Sequence, residues 1–589
     1  MIKYIACLFC ILWNANINIL IAQEKEKTVK IIYQSPNETI IDSKNKSDSA
    51  TMLLALNKRI ANFRNEGFLA ASIDSIKNTA DTFIAYIYKG EKFSFGTIKT
   101  EGIPTDLLNQ TGIGRWQLEG KVLSVKKINS LIEKILTFSE NNGYPFASLK
   151  FKNIEWDGER KFNALIDYQQ GPLTRIDTIE IRGSSNVDYR YILSYLGLKN
   201  HQLYNEEVIA KISKKIKELP FIEEEKPWEM SFSILRTKLI LYLKDKASNQ
   251  VNALLGFQPT NEETKKFLWT ADIQLLLNNT LGYGETFSAS YKNLQHKSPE
   301  FNIKMITPYI LGTPFALDAD FEYYSRDTLY NKTSFEGGLR YLLSERDFLR
   351  VAYHLQSNRV PSPNLVFVQT NKRLNNNADI RSDGLSVNFQ MDRTDFSKNP
   401  HKGWKAFIGA EGLNRIIKKN SAILALNDGF DYEKLYDTIN LHPLQYKLEA
   451  RLDYFVPITR QISIWLGYQG AYNSGNNLFQ NELFQIGGIK TLRGFDEKSI
   501  YANQYHIGTI ALKTILSQGS YFQIFSDFGQ VFTHYNQMKY SNRPLSLGMG
   551  LTLENKTGIF NFIIAMGKHQ NESFQFRNTN VHFGYISYF

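Results

Sequence analysis

The sequence has 589 residues, of which 43% are hydrophobic, 13% aromatic and 22% charged. This composition excludes a long disordered or low-complexity chain, and the length suffices for several domains. The 69 basic and 58 acidic residues give a net charge of +11, too small an excess in a chain of this length to indicate a nucleic-acid partner. After residue 22 no uninterrupted apolar stretch reaches 18 residues, which argues against a bundle of membrane-spanning helices.

Residues 1–22 have the pattern of a secretory signal peptide. Lys3 precedes an apolar run, and the small residue Ala22 stands before the predicted cleavage point. Both cysteines, Cys7 and Cys10, lie in this segment, so the mature chain would contain no disulfide and no thiolate metal ligand. The alternative is a membrane anchor, which the asparagines between residues 14 and 18 disfavour.

An internal repeat follows. The stretch 65–74 (NEGFLAASID) returns as 141–150 (NNGYPFASLK), and 90–102 matches 171–183 with a glycine at each end and a shared Thr-Ile pair. Each repeat has apolar residues at helical spacing before the glycine-aromatic step and strand-like runs after it. We therefore predict three small α+β domains at 24–92, 93–172 and 173–246. They resemble POTRA domains, and the resemblance implies that an extended peptide adds a strand to their sheet edges.

From residue 250 to 589 the dominant period of the sequence is two. Apolar and polar residues alternate, as in Leu317, Ala319, Phe321 and Tyr323 against Asp318, Asp320 and Glu322. A soluble sandwich would bury the apolar face, whereas an outer-membrane barrel would turn it toward lipid. The abundance of Tyr and Phe at the apolar positions and the persistence of the pattern over 340 residues favour the barrel. At ~9–11 residues per spanning strand plus connections, about sixteen antiparallel strands fit, and fourteen or eighteen also would.

The final residues form an alternating strand that contains Phe583, Tyr585 and Phe589. This ending resembles the C-terminal signal of outer-membrane barrels. The predicted fold is therefore a transmembrane β-barrel at 250–589 preceded by three POTRA-like domains.

Two motifs narrow the family. Arg493-Gly494-Phe495, which follows a Gly-Gly strand end, resembles the sixth extracellular loop of the BamA/TamA superfamily of outer-membrane assembly barrels. The resemblance implies that this loop folds back into the lumen and that its arginine pairs with a carboxylate of the wall, here Asp527. An unpaired charge there would cost several kcal/mol, while Gly494 would allow close approach and Phe495 would wedge against neighbouring side chains.

The second motif comprises Asp392, Asp395, Pro400 and Gly403, which resemble a D-x-x-D…P-x-x-G hairpin in the middle of the same barrels. We interpret its two carboxylates as parts of a turn and assign them no catalytic role. The sequence contains no hydrolase, nucleotide-binding or zinc-protease motif, and its nine histidines are scattered without close spacing. We therefore predict no enzymatic activity, no metal site and no cofactor.

The resemblance implies a protein of the Gram-negative outer membrane whose POTRA domains lie in the periplasm. Its expected function is the insertion or translocation of proteins, with client strands templated at the seam between the first and last barrel strands. The expected partners are unfolded outer-membrane or secreted clients, outer-membrane lipid, and accessory proteins of the periplasm or inner membrane. Three modules favour the TamA-like branch. The second possibility is a two-partner secretion transporter that exports one dedicated substrate. The third is a porin.

Overall fold

The computed structural model describes residues 27–35, 38–47, 49–78, 82–100, 102–112, 119–158, 160–233, 236–259, 267–293, 298–344, 346–396, 399–437, 439–475, 477–517, 519–535, 538–555, 558–576 and 579–588. The predicted signal peptide and Phe589 lie outside these residues. None of the described helices combines the length and the apolar composition that crossing a membrane requires.

The first sheet has four strands and one described helix. Its elements are β1 (Lys27–Ser35), β2 (Glu38–Ser47), α1 (Ser49–Asn65), β3 (Ser72–Asn78) and β4 (Thr82–Tyr88), with strand order β2-β1-β4-β3. Leu56, Ile60 and Phe63 recur at helical spacing on α1 and pack against Ala85 and Ile87 of β4. POTRA domains have three strands, and the fourth strand here arises because β1 and β2 form a hairpin before the helix begins.

The second sheet matches the POTRA order of one strand, two helices and two strands. Its elements are β5 (Ser94–Lys99), α2 (Thr105–Thr111), α3 (Val125–Asn141), β6 (Ser148–Trp156) and β7 (Lys161–Gln169). β7 lies in the centre, parallel to β5 and antiparallel to β6. Leu131 and Ile135 of α3 pack on Ile166 of β7, so the predicted helical stripe forms the core of this sheet.

A third group of short elements precedes the long sheet. It comprises β8 (Arg175–Ile176), β9 (Thr178–Arg182), α4 (Tyr189–Leu196), β10 (Gln202–Leu203), α5 (Glu206–Ala210), α6 (Ile212–Glu218), β11 (Ile222–Phe232) and β12 (Thr237–Asp245). Contacts between residues divide the chain into two compact units. The first unit comprises the described residues up to Thr178 together with His201–Ala210 and Ser233–Thr237. Ile179–Asn200, Lys211–Phe232 and the chain from Lys238 form the second unit.

The chain from Gln250 forms one large antiparallel sheet in which each strand pairs with the next. Its first eleven strands are β13 (Gln250–Pro259), β14 (Phe267–Asn278), β15 (Thr286–Asn293), β16 (Pro299–Thr307), β17 (Phe315–Arg326), β18 (Tyr330–Leu342), β19 (Phe348–Arg359), β20 (Asp379–Asp392), β21 (Gly403–Lys418), β22 (Leu444–Pro457) and β23 (Ile462–Asn473). A small separate hairpin, β24 (Phe484–Ile486) and β25 (Ile500–Ala502), follows. The sheet then continues through β26 (Gln504–Ile515), β27 (Tyr521–Tyr535), β28 (Met538–Asn542), β29 (Leu545–Glu554), β30 (Gly558–Lys568) and β31 (Thr579–Tyr588).

The strand number agrees with the prediction. β28 and β29 both pair with β27 and make one strand that is interrupted at Pro544, which has no N–H to donate to the ladder. The described sheet therefore has sixteen strands. The connections at the end of the sheet next to Gln250 are short, whereas those at the other end include the loops 360–378, 419–443 and 474–503. These loops carry α7 (Leu365–Asn371), α8 (Ser421–Leu424) and α9 (Lys434–Asp437), and single 3-10 turns occur at Ile310–Gly312 and Gln480–Glu482.

The sheet returns on itself at a weak seam. In their described parts, β13 and β31 share two residue pairs, Gln250 with Tyr588 and Val251 with Ser587. On its other side β13 pairs with β14 over ten residues. The seam thus holds the barrel together with far fewer main-chain hydrogen bonds than a neighbouring strand boundary.

The burial pattern of the barrel is inverted relative to that of a soluble protein. Leu317 is 54% exposed, whereas its neighbour Asp318 is 6% exposed. Along β19, Val351 and Tyr353 are likewise exposed, while Arg350 and His354 are buried. A soluble sandwich would bury the apolar face, so this pattern rules out that alternative and leaves an apolar outer face around a polar lumen.

Candidate functional site in the barrel lumen

The loop 474–503 turns into the barrel. It is the sixth connection at the long-loop end and joins β23 to β26. Its apolar side chains are buried in one cluster with residues of the wall, comprising Ile486, Leu492, Phe495 and Ala502 of the loop and Ala471, Tyr505, Ile507 and Val531 of the strands. The loop is therefore packed against the inner wall.

Arg493 of this loop forms a bidentate ion pair with Asp527 of β27. The Nε–Oδ2 distance is 2.8 Å and the Nη2–Oδ1 distance is 2.5 Å, while the Arg493 backbone N–H also donates to Oδ2 at 3.2 Å. The hydroxyls of Thr509 and Ser546 donate to the same carboxylate at 2.8 and 3.2 Å. Asp527 is completely buried and Arg493 is 5% exposed, so each charge depends on this set of partners.

Two aromatic rings complete the environment of the guanidinium. Its central carbon lies 3.4 Å from the ring centre of Phe525 and 5.4 Å from that of Trp465. The negative faces of such rings attract a cation that has lost its water. Arg493 is thus held by one carboxylate and by the faces of two rings.

The next two residues place the loop tip against the last strands of the barrel. Gly494 has φ +90°, and a Cβ there would lie 2.6 Å from the backbone carbon of Met566 in β30, so a side chain would not fit. The Phe495 ring lies 5.2 Å from the imidazole of His569. Asn580 of β31 donates to Asp496 at 3.4 Å, so the tip contacts both strands that precede the seam.

The start of the loop has a second buried ion pair. Arg415 of β21 contacts Glu482 in two places, with Nε–Oε1 at 2.5 Å and Nη2–Oε2 at 2.6 Å, and both side chains are buried. Glu482 also accepts the backbone N–H of Phe479 at 2.8 Å. Nothing in the sequence predicts this pair, because the two residues are 67 positions apart and neither belongs to a motif.

The loop also reaches the wall on the other side of the lumen. Lys498 pairs with Glu300 of β16 at 2.6 Å. Gln485 donates to the hydroxyl of Tyr330 on β18. Together with the two arginine pairs, these contacts show that the loop crosses the lumen.

The mid-barrel motif forms the turn between β20 and β21. Asp395 accepts backbone N–H groups of Phe396, His401 and Lys402 at 2.9–3.1 Å, and Asp392 accepts the N–H of Thr394 at 3.0 Å. Pro400 lies within the turn.

Gly403 ends this turn in a conformation that suits glycine. It has φ +108°, and a Cβ there would meet the carbonyl oxygen of Arg393 at 2.1 Å. Asp395 therefore serves backbone donors, and Asp392 accepts from both the backbone N–H and the hydroxyl of Thr394.

This turn is joined to the preceding one, between β18 and β19, and that preceding turn contacts α6. Arg393 pairs with Asp347 at 2.5 Å, and Arg346 pairs with Glu218 of α6 at 3.1 Å. Burial alone would raise the pKa of Asp347, but hydrogen bonds from Arg393 and from the Asp392 backbone outweigh it and lower that pKa. The turns at the short-connection end thus provide a charged contact with the helix that precedes the barrel.

The C-terminal residues lie at the last strand. Phe583 is exposed on the outer face and contacts Phe560 edge-to-face, with ring centres 5.0 Å apart. Tyr585 lies in β31, opposite Phe560 in the register.

Comparison with known proteins gives a family and a fold. The Omp85 superfamily domain matches residues 279–584, and no curated protein matches the chain. Among solved structures, CdiB from Escherichia coli is 12% identical, with 92% of this chain and 97% of that chain covered and a TM-score of 0.51. CdiB from Acinetobacter baumannii gives the same identity and coverage with a TM-score of 0.50. BamA from Haemophilus ducreyi lacking POTRA domains 1–3 is 14% identical over 84% of this chain and 99% of that chain, with a TM-score of 0.45.

Proposed function

Because this chain belongs to the Omp85 superfamily, we propose that it inserts or translocates unfolded client proteins at the outer membrane of a Gram-negative cell. The observation that carries this proposal is the seam of two residue pairs, next to which the tip of an anchored loop is packed. The barrel would lie in the outer membrane, and the modules at 24–92, 93–172 and 173–246 would lie in the periplasm.

The seam is the place at which a client strand would form. Strand edges with unpaired N–H and C=O groups bind other strands through main-chain hydrogen bonds. Among the described residues, β13 pairs with β31 at Gln250 and Val251, and the rest of β13 offers such an edge. In a membrane no water competes for these N–H and C=O groups. A client strand that forms at this edge therefore satisfies the main-chain hydrogen bonds of both β13 and the client.

We propose that Arg493, Gly494, Phe495 and Asp527 act as a structural latch with no covalent chemistry. The latch fixes the loop tip against β30 and β31 and thereby sets the shape of the wall beside the seam. Asp392, Asp395, Pro400 and Gly403 would define the hairpin at the periplasmic end. Phe583, Tyr585 and Phe589 would serve as the signal by which the barrel itself is assembled.

The edges of the small sheets are proposed to capture clients before insertion. In the first sheet β2 and β3 are edge strands, and in the second β5 and β6 are. An extended peptide could add to these edges regardless of its side chains, which suits a machine with many clients. Accessory proteins of the periplasm or inner membrane would bind the same modules.

Two-partner secretion of one dedicated substrate is the second candidate. The structural likenesses to CdiB and BamA do not separate it from an assembly role. Three modules resemble the TamA-like branch more than two-partner transporters, which usually have two. A passive porin is the weakest alternative, because a loop that crosses the lumen with three ion pairs obstructs simple diffusion.

Depletion followed by quantitative outer-membrane proteomics tests the proposal. Loss of many unrelated barrel proteins is expected for an assembly factor, and loss of one exported protein would instead support secretion. An unchanged proteome with altered solute uptake would overturn both in favour of a pore. Re-expression of the wild-type chain serves as the control, since it should restore the depleted proteins.

A further inference from the structure

Three potential metal ligands meet on the lumen face of the wall, on strands other than the one that carries Asp527. They are Glu336 on β18, His354 on β19 and Glu411 on β21. Glu336 and His354 are directly opposite each other in the register. On β20, which lies between His354 and Glu411, the residue opposite His354 is Gly384, so no side chain separates the imidazole from the next strand.

The buried polar atoms at this place lack hydrogen-bond partners. His354 is only 7% exposed, and within the described structure neither of its ring nitrogens has a hydrogen-bond partner, although two carboxylates lie at ion-pair distance from Nδ1. Oε2 of Glu411 and Oγ of Ser386, the residue opposite Glu411, likewise have no hydrogen-bond partner among the described residues. Buried polar atoms are nearly always paired with protein, water or an ion. These four atoms are therefore available to a ligand.

The distances from His354 to the two carboxylates fit a small cation, and all three candidate ligand atoms lie within 4.8 Å of one another. Nδ1 of His354 lies 3.4 Å from Oε1 of Glu336 and 3.5 Å from Oε2 of Glu411. Two donors that are each ~2.0–2.1 Å from a tetrahedral ion are about 3.3–3.4 Å apart. One imidazole and two carboxylates form a donor set that suits Zn²⁺ and its first-row neighbours. We propose that these three atoms bind a divalent transition-metal ion, with Zn²⁺ as the best fit, and that water from the lumen completes the coordination.

The surrounding charges orient the ligands and limit the affinity. Arg350 holds the other oxygen of Glu336 at 2.7 Å, which fixes Oε1 toward His354. Lys447 lies 3.8 Å from Oε2 of Glu411, and its charge opposes a bound cation. A proton on His354, shared between the two carboxylates, is the competing occupant of the same space.

A bound ion would cross-link β18, β19 and β21. These are the sixth, seventh and ninth strands of the barrel, whereas the seam joins the first and the sixteenth. The ion would thus stiffen the wall opposite the region proposed to open. The inference does not depend on the proposed function, because it rests on the geometry of the wall alone.

Titration of the full-length, tag-free protein with Zn²⁺ tests the site. After chelator treatment in detergent, isothermal titration calorimetry at pH 7.5 should show one bound equivalent, and Co²⁺ should give the visible absorption of a four- or five-coordinate site. His354→Ala and Glu411→Gln should each weaken binding at least tenfold. His506→Ala is the matched control, because that imidazole is already hydrogen-bonded to Tyr468 and Gln504 and should not contribute.

Heat-modifiable migration of each variant would show that its barrel is folded. Wild-type protein that takes up no Zn²⁺ would overturn the proposal and leave a proton as the only occupant. Equal uptake by His354→Ala and the wild type would overturn it as well, since the ion would then be bound elsewhere.

Discussion

Two arginine side chains in the lumen each face a carboxylate that accepts hydrogen bonds from two nitrogens of the guanidinium. Both arginines, Arg493 and Arg415, come from segments far in sequence from their partners Asp527 and Glu482. The planar fork of arginine matches a carboxylate in a way that lysine does not. These pairs therefore fix the loop 474–503 at defined points of the wall.

Replacing Arg493 with Ala should abolish most activity while the barrel remains in the membrane. The change leaves Asp527 buried with two hydroxyl donors, and breaking a buried pair costs about 3–5 kcal/mol. Arg493→Lys should also fail, because it loses the bidentate contact. Client levels in the outer membrane would be measured, with Arg451→Ala as the control, since Arg451 is exposed and takes no part in the latch. Wild-type function of Arg493→Ala would remove the latch from the mechanism.

The pair between Arg415 and Glu482 should behave as a second, independent anchor. Arg415→Met or Glu482→Gln alone should loosen the loop by about 3–5 kcal/mol, because each leaves a buried charge without its partner. The double variant should recover part of this loss, since neither charge remains. The readout is the rate of protease cleavage within 474–503 in intact cells. Additive losses in the double variant would show that the two residues do not act as a pair.

Sequence alone revealed the candidate latch only through a family resemblance. Arg493 and Asp527 stand in recognisable motifs, whereas Arg415 and Glu482 look like ordinary members of an alternating strand and a polar loop. His354 is a similar case, because its neighbours Glu336 and Glu411 approach it through strand register and not through chain spacing. Contacts of this kind depend on the order and stagger of the strands, which the period of two does not encode.

At the level of the strands, alternation predicted the sheet and the lengths predicted about sixteen strands. Neither the alternation nor the lengths predicted the break at Pro544 or the extra hairpin of β1 and β2 in the first sheet, since both features depend on local backbone pairing. The seam is likewise a tertiary property. β13 reads as a normal strand, yet in the part of the chain that the structure describes it pairs with β31 at two residues.

Cross-linking the seam should block activity reversibly. The residues Val251 and Ser587 are paired in the register, so V251C with S587C can form a disulfide across the seam in a mature chain expected to contain no other cysteine. Under oxidising conditions we expect loss of client assembly, and a reductant should restore it. The control is V251C with L275C, which joins β13 to β14 and should leave function intact. Full activity with a closed seam would exclude strand templating at this position.

For the whole molecule, the decisive feature is an apolar face turned outward around a polar interior. Within β20, Val387 is 46% exposed on the outer face, while the adjacent Asn388 lines a lumen cavity of about 580 Å³ together with basic and acidic side chains such as Arg350 and Asp453. If lipid surrounds the barrel, a charge at Val387 must enter hydrocarbon, whereas a charge at Asn388 enters a polar space.

Val387→Arg should therefore destabilise the barrel by about 2–4 kcal/mol, whereas Asn388→Asp, which places a carboxylate opposite Arg350, should destabilise it by less than about 1 kcal/mol. The measurement is urea-induced unfolding of each variant in lipid vesicles, followed by loss of heat-modifiable migration. The two positions are adjacent in one strand, so differences in strand propensity and in distance from the seam are minimal. Equal destabilisation, or a larger effect at Asn388, would mean that the face containing Val387 does not meet lipid. The membrane placement, the templating seam and the lumen latch would then all lose their physical basis.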